Sequence, residues 1–426
     1  MSAPNRPTRI AIAGSGPSGS TMAALLSEKG ADVTLFNGGK RPAMIVGESG
    51  IPALVPLMRR LGIEEEVAAV AQHKPGATFA LGDFDPIELS FQSVKGILPT
   101  YSYNLPRPQF DQIIENRARR SKVRWIDHEA GIVRSPEGSG REIILDEETL
   151  ARVPEWNGEQ PELIVDATGR RRTIARLLKI PVTTGPRKDM ALFAHYEGWK
   201  HKGPPGQIVI CKTIHGGWSW QIPLPGRMSV GVVIDGETLR SLGSTLEERL
   251  ENAIGGDPIL SVVGEMRRRI SEIPTYTNYQ LISERAHGPG WVALGDAFGF
   301  VDPMLSPGMW IAMRGGECLS DLINPAGPND WAKLLSRYET EMKERLTAWQ
   351  ELISKFYNGE MMAAYSTGLR YKMKFGAAMK LINGHFDKNF AGMCCGAYTE
   401  RPYSRSLLNF LCKNPRGFDP ADFALK

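Results

Sequence analysis

No stretch of this chain approaches the roughly twenty consecutive apolar residues that a membrane-spanning helix needs. Charge of either sign is not in excess: 51 basic side chains face 47 acidic ones, a net of +4 over 426 residues. So small a surplus builds no basic face, which argues against a nucleic-acid partner. Cysteine is scarce, with an odd count of 5 and Cys394 adjacent to Cys395. No C-x-x-C pair occurs, so neither a disulfide framework nor a zinc site is expected. Two small buried residues describe the adjacent cysteines better than a redox pair does. The opening segment, Met1 to Ile10, has no apolar signal core, and with the cysteine usage this points to a reducing cytoplasm. Internal repeats and low-complexity tracts are missing as well. What is left is a chain long enough to bury a large core in two or three domains.

The most informative stretch runs from Arg9 to Asn37. Ile10, Ala11, Ile12 and Ala13 form a short apolar run of the kind that suits a parallel strand buried on both faces. Gly14, Gly16 and Gly19 follow in the G-x-G-x-x-G spacing, with Pro17 and Ser18 opening a helix that carries Met22, Leu25 and Leu26. Val33 to Phe36 then supplies a second strand. In that context the glycines give a tight turn, a close approach of backbone to a pyrophosphate and close helix packing, and the helix head holds the phosphates. The second strand ends in Asn37, where a carboxylate usually holds the ribose. An amide accepts and donates where a carboxylate accepts twice, so ribose binding is expected to be weaker.

Further on, Gly47-Glu48-Ser49 leads into a helix with Leu54, Leu57, Met58 and Leu61 at helical spacing. Gln72 to Asp83 reads as a turn feeding a strand, with Lys74 in the turn. Arg107 and Asp111 open a helix whose core face is Phe110, Ile113, Ile114 and Ala118. Leu163-Ile164-Val165 is another buried strand, ending in Asp166-Ala167-Thr168-Gly169. From Met190 to Asp235 the pattern is mostly antiparallel, and the runs ending at Pro223 and starting at Met228 make a hairpin. Trp291 to Leu294 is a returning strand that delivers Gly295-Asp296 and the loop Asp302 to Met309. The remainder is helical, with a stripe from Leu334 to Phe356 and a Met- and aromatic-rich run from Met361 to Phe386.

Taken together, the glycine fingerprint, the Arg107/Phe110/Asp111 helix start, Asp166-Ala167-Thr168-Gly169 and Gly295-Asp296 before a proline-containing loop resemble the FAD-dependent aromatic monooxygenases of the p-hydroxybenzoate hydroxylase type. The resemblance spans about residues 9 to 320 and implies an α/β fold with α+β insertions. A Rossmann-like FAD-binding domain would comprise residues 1–75, 105–180 and 285–325. An antiparallel-sheet substrate domain would comprise 76–104 and 181–284, and a C-terminal helical region, 326–426, would cover the active site. By the same resemblance Arg107 lies near the ribityl and phosphate groups, Asp296 bonds a ribityl hydroxyl, and Pro303 to Met309, with Gly308, line the isoalloxazine ring.

Three further segments are similar to the flavin-dependent halogenases. They are Val46-Gly47-Glu48-Ser49, the W-x-W-x-I-P motif Trp218 to Pro223, and the D-P-x-x-S-x-G loop Asp302 to Gly308. Lys74 then stands where those enzymes carry the lysine that handles hypohalous acid; the plain alternative is a solvated turn lysine. Trp218 and Trp220 are either sheet core or the wall for a flat substrate. Glu48 is an acid or base in the site, or a carboxylate at a helix start.

In that family halide is held mainly by backbone N–H groups of the S-x-G segment, and here the middle residue is Pro307, which has none. Losing one of two donors costs a desolvated anion on the order of 1.5–3 kcal/mol. The expectation is therefore hydroxylation of an electron-rich ring (indole or tryptophan, phenol, pyrrole) through a flavin C4a-hydroperoxide, using FAD and O₂. One precedent on this scaffold is the tryptophan-hydroxylating flavoprotein of quinohemoprotein amine dehydrogenase maturation. Halogenation through Lys74 is the first alternative and a non-oxygenating FAD-dependent reductase the second. The substrate is a small molecule or is bound to a peptide or carrier. With one glycine fingerprint, electrons come from NAD(P)H bound transiently or from a separate flavin reductase.

Overall fold

The computed structural model describes residues 6–39, 44–81, 85–257, 260, 267–277, 280–375, 380–413 and 417–425. Gly82 and Asp83, at the end of one expected strand, and positions 376–379 of the Met-rich run lie outside the described residues. Arg9–Ala13 is an inner strand of a six-stranded sheet ordered His287–Gly288, Trp291–Ala293, Leu163–Asp166, Arg9–Ala13, Asp32–Phe36, Arg124–Ile126. Its neighbours on both sides run parallel to it, with Ile10 opposite Val33 and Leu163. A strand in that position is covered on both faces, so every residue must be apolar. Ile10 to Ala13 are accordingly all buried.

The helix Pro17–Glu28 starts without a side-chain cap but with proline in its first turn, where the missing N–H removes no helical bond. It crosses the helix Gly308–Leu322 closely: a Cβ on Gly316 would lie 2.7 Å from the Ser18 carbonyl oxygen. This contact fixes the glycine turn against the loop Asp302 to Pro307.

A second sheet of eight strands runs Arg268–Arg269, Asp189–Glu197, Arg227–Asp235, Trp218–Leu224, Ile208–Lys212, Gly76–Ala80, Ile87–Ser90, with Thr275–Thr277 paired to Asp189–Glu197. Leu224 pairs with Arg227, so Pro225-Gly226 is the two-residue turn of the expected hairpin. One pairing departs from the antiparallel expectation, since Ile208–Lys212 runs parallel to Gly76–Ala80. Because side chains alternate along a strand, Ala191 and Phe193 point to one face, and Leu192, Ala194 and Tyr196 to the other. The second face packs with Leu250, Ala253 and Ile254 of the helix Leu246–Gly255. The first face is left for a cavity.

The C-terminal stripe forms the helix Trp331–Tyr357, burying Leu335, Tyr338, Met342, Leu346, Trp349, Ile353 and Phe356. Its end meets the second sheet, with the Phe356 ring 5.2 Å from Phe79. All five cysteines are free and buried. Among the described residues no helix is long and apolar enough to cross a membrane.

Candidate active site

Between the two sheets lies a cavity of about 440 Å³. One end is polar and glycine-rich, lined by Gly16, Pro17, Ser18, Arg107, Gly169 and Asp296; the other is apolar, walled by Phe193, Ile208, Ile210, Trp218, Trp220 and Val233. Trp218, Trp220 and Ile222 share the cavity face of their strand, and the two indoles stand 5.7 Å apart. Ser219 and Gln221 turn the other way, where Trp199 Nε1 donates to Gln221 Oε1 at 3.1 Å. The tryptophans are therefore both core and wall.

The polar end fits a dinucleotide. Gly14 has φ +111°, and a Cβ there would meet the Ala167 carbonyl oxygen at 2.4 Å. A Cβ on Gly19 would meet the Gly14 carbonyl at 2.1 Å. Nothing lies within 4 Å of a Cβ on Gly16, so open space stands before its backbone. Arg107 is buried, bonds Asp111 at 3.0 and 3.1 Å, and also donates to the Val46 carbonyl. The Asp296 carboxyl lines the cavity and makes no hydrogen bond to protein among the described residues. Burial holds its pKa above the usual carboxylate range, against the pull of Arg170 and Arg107. Such an unspent acceptor suits a ligand hydroxyl.

Several expected site residues stand behind the wall. Asp166 is fully buried and spent: it accepts from Thr168 N at 3.0 Å, Thr168 Oγ1 at 2.5 Å and Ile174 N at 2.7 Å. It shapes the turn that presents Gly169. Asn37 accepts from Ser15 Oγ at 2.8 Å and donates to Asp127 at 3.0 Å. Ser15 also reaches Glu115 at 3.2 Å, which brings a carboxylate beside the amide. Gly295, at φ +58°, closes on Ser18.

Lys74 lies in the strand Gln72–Lys74, paired with Ser102–Asn104, rather than in a turn. It is 2% exposed, which removes the solvated reading. Its Nζ donates to Ser49 Oγ at 2.8 Å and to the Gly50 carbonyl at 2.9 Å, and sits 5.4 Å from the Phe91 ring centre. Burial pushes the amine down to about 7, slightly opposed by Cys395. Ser49 lines the cavity, so Lys74 stands one hydrogen bond behind it.

Pro307 is the N-cap of the helix Gly308–Leu322 and is not itself part of the wall, whereas Leu305, Ser306, Gly308 and Met309 are. Leu305 and Ser306 both adopt left-handed backbone, φ +66° and +60°. For residues other than glycine this costs of order 1–3 kcal/mol each, a strain held in place by the packing of the loop. Ser306 N–H is committed to the Pro303 carbonyl at 2.9 Å. The first amides of the helix, Gly308 and Met309, have no carbonyl four residues back within it.

Two residues outside the sequence motifs join the site. His195 Nε2 bonds Glu48 Oε1 at 2.8 Å, and Tyr357 hydroxyl links Trp218 to Asp302. His195 follows Ala191 and Phe193 on the cavity face, a signal available from strand alternation. Tyr357 lies so far along the chain that no local pattern ties it to the motifs.

The tryptophan halogenase family model matches residues 9–84 and 82–364. The chain belongs to the tryptophan halogenase family. This places it in the FAD-dependent halogenase-like superfamily and makes it an oxidoreductase. It is 28% identical over 368 residues to a tryptophan 2-halogenase of Chondromyces crocatus, covering 82% of this chain and 68% of that one. It is 25% identical over 413 residues to a 1H-pyrrole-2-carbonyl-[peptidyl-carrier protein] chlorinase of Pseudomonas fluorescens, with 88% of each covered. The flavin-dependent brominase Bmp2 shares the fold at a TM-score of 0.74 and 21% identity, over 96% of this chain and 100% of that one. The oxygen-transfer reading drawn from Pro307 finds no support in these relatives.

Proposed function

We propose that this chain is a flavin-dependent halogenase of an electron-rich aromatic ring. The observation that carries the reading is the joining, in one cavity, of a dinucleotide cradle and an indole-walled chamber, with the head of the helix Gly308–Leu322 at the junction. When bound, reduced FAD with O₂ supplies the oxidising equivalents. Gly16, Pro17 and Ser18 would hold its phosphates at the helix head, and Arg107 and Asp296 its sugar-alcohol chain.

Pro307 stands at the N-cap of a 15-residue helix, where its missing N–H costs the helix nothing and the amides that follow are unspent. Gly308 and Met309 both line the cavity. A halide beside them meets N–H groups and the positive end of the helix dipole, which offsets the donor lost at Pro307.

Lys74 supplies the second half. Burial brings this amine down to about 7, and its hydrogen bond to Ser49 lets it direct hypohalous acid in the cavity through the Ser49 hydroxyl. Its path to the cavity runs through Ser49. The apolar walls of Trp218 and Trp220 keep water from consuming the oxidant. The electron source is a separate flavin reductase or transiently bound NAD(P)H. The test is to supply purified protein with FAD, a flavin reductase, NADH and bromide, and to weigh the products from indoles, phenols and pyrroles. Brominated product supports the reading, and its absence with every ring class contradicts it.

A further inference from the structure

The charged groups lining the cavity are Glu48, Arg107, Asp111, Arg170 and Asp296. Arg107 and Asp111 bond each other. Arg170 stacks over Phe300 at 4.3 Å, on the side of the dinucleotide cradle. Glu48 is different, because it stands against the substrate-facing sheet. Its carboxylate is 4% exposed, and among the described residues its one hydrogen-bond partner is His195 Nε2 at 2.8 Å. His195 is itself 9% exposed.

From His195 a run of rings leads across the apolar chamber. Phe193 lies 6.4 Å from His195, Trp220 5.7 Å from Phe193, and Trp218 5.7 Å from Trp220. A flat molecule laid along that wall has the Glu48 carboxylate at its rim. A carboxylate has about four lone-pair positions, and an acceptor removed from water without a donor is costly. A ring carrying an N–H or O–H adds a second donor, whereas a ring whose heteroatom is methylated leaves the carboxylate with His195 alone. Sites built on a buried acceptor reject analogues lacking the donor far more strongly than a purely apolar pocket rejects a change of size.

We propose that the Glu48–His195 pair selects substrates whose aromatic ring bears an N–H or O–H donor, and that it directs this donor into the carboxylate. Among electron-rich rings, those whose heteroatom hydrogen is replaced by methyl are therefore disfavoured. The inference rests on the halogenase reading for its activity test but not for its binding test. Electron density drawn toward the ring from a donor held by a carboxylate also favours attack by electrophilic halogen on ring carbon.

The experiment compares two pairs of probes, p-cresol with 4-methylanisole and indole with 1-methylindole. For each, the ratio of kcat/KM for bromination is divided by the ratio measured with free hypobromous acid, which removes intrinsic reactivity. The wild-type enzyme is expected to favour the donor-bearing member about ten- to a hundredfold beyond solution, the size of a lost charged hydrogen bond. Glu48→Gln narrows this preference toward unity, and Glu48→Asp, which keeps the charge, restores part of it. A merely structural role lowers both members of a pair equally, and an unchanged ratio in Glu48→Gln overturns the proposal. Should the wild type brominate none of the probes, the halogenase reading falls on its own. Dissociation constants for the same probes, read by titration calorimetry, then decide the matter for Glu48: equal affinities within each pair overturn it.

Discussion

Trp218 Nε1 donates a 2.8 Å hydrogen bond to the Tyr357 hydroxyl. Tyr357 in turn donates to Asp302 at 3.0 Å, and Asp302 accepts from Met304 N at 2.8 Å. One phenol thus joins the substrate wall, the end of the helix Trp331–Tyr357 and the loop that carries the strained Leu305 and Ser306. Burial, aided by the Asp302 charge, holds the Tyr357 hydroxyl protonated well beyond its ordinary range.

Tyr357→Phe is therefore expected to leave the Trp218 N–H without its acceptor and to remove the Tyr357 hydrogen bond from Asp302. The cost is about 1–3 kcal/mol, read as a lower denaturant midpoint at unchanged slope. An unshifted midpoint contradicts the link.

Lys74 gives a prediction in pH. Its folded pKa of about 7 lies below the unfolded value of about 10.4, so between them the unfolded chain binds more protons. Stability from this group therefore rises with pH from about 7 to 10, and its penalty is full below 7. Lys74→Met removes the penalty while losing the bonds to Ser49 and Gly50. The variant is expected to be inactive in halogenation yet more stable at pH 6 by roughly 2–4 kcal/mol, with the gain fading by pH 10. Urea titrations across that range check it, and a variant less stable at pH 6 contradicts it.

Gly14 and Gly16 separate folding from binding. Gly14→Ala forces a Cβ to 2.4 Å from the Ala167 carbonyl at φ +111°, and several kcal/mol of destabilisation are expected. Gly16→Ala meets no protein atom within 4 Å, so its stability should stay within about 1 kcal/mol. Its FAD affinity is expected to fall tenfold or more, because the methyl enters the phosphate space. Thermal melts and flavin titration distinguish the two.

Asp166 and Asp296 make a similar contrast. Asp166→Asn replaces one acceptor of a fully occupied carboxylate and is expected to destabilise by about 1–3 kcal/mol. Asp296→Asn removes a charge that burial disfavours, so the fold is expected to hold or gain while FAD binding weakens. Equal losses of stability in both contradict the assignment of Asp296 to the ligand.

The strand, glycine turn and helix from Arg9 to Glu28 were legible because each residue's local preference agrees with its tertiary place. The W-x-W strand was legible for the same reason: alternation alone puts Trp218 and Trp220 on one face. The burial of Lys74 in a strand was not, since a lysine before proline reads as a turn, and only pairing with Ser102–Asn104 buries it. The place of Pro307 was not legible either: as an N-cap it takes no N–H from the helix, and the amides of the first turn come one and two residues later. His195 and Tyr357 entered through long-range packing, which no local spacing encodes.

The most direct test of halogenation against oxygen transfer is one reaction run under isotopically heavy dioxygen with bromide present, using an arene with a free N–H or O–H and analysed by mass spectrometry. The expected product shows the bromine isotope doublet and carries no heavy oxygen. A product that carries heavy oxygen and no bromine contradicts the halogenase reading.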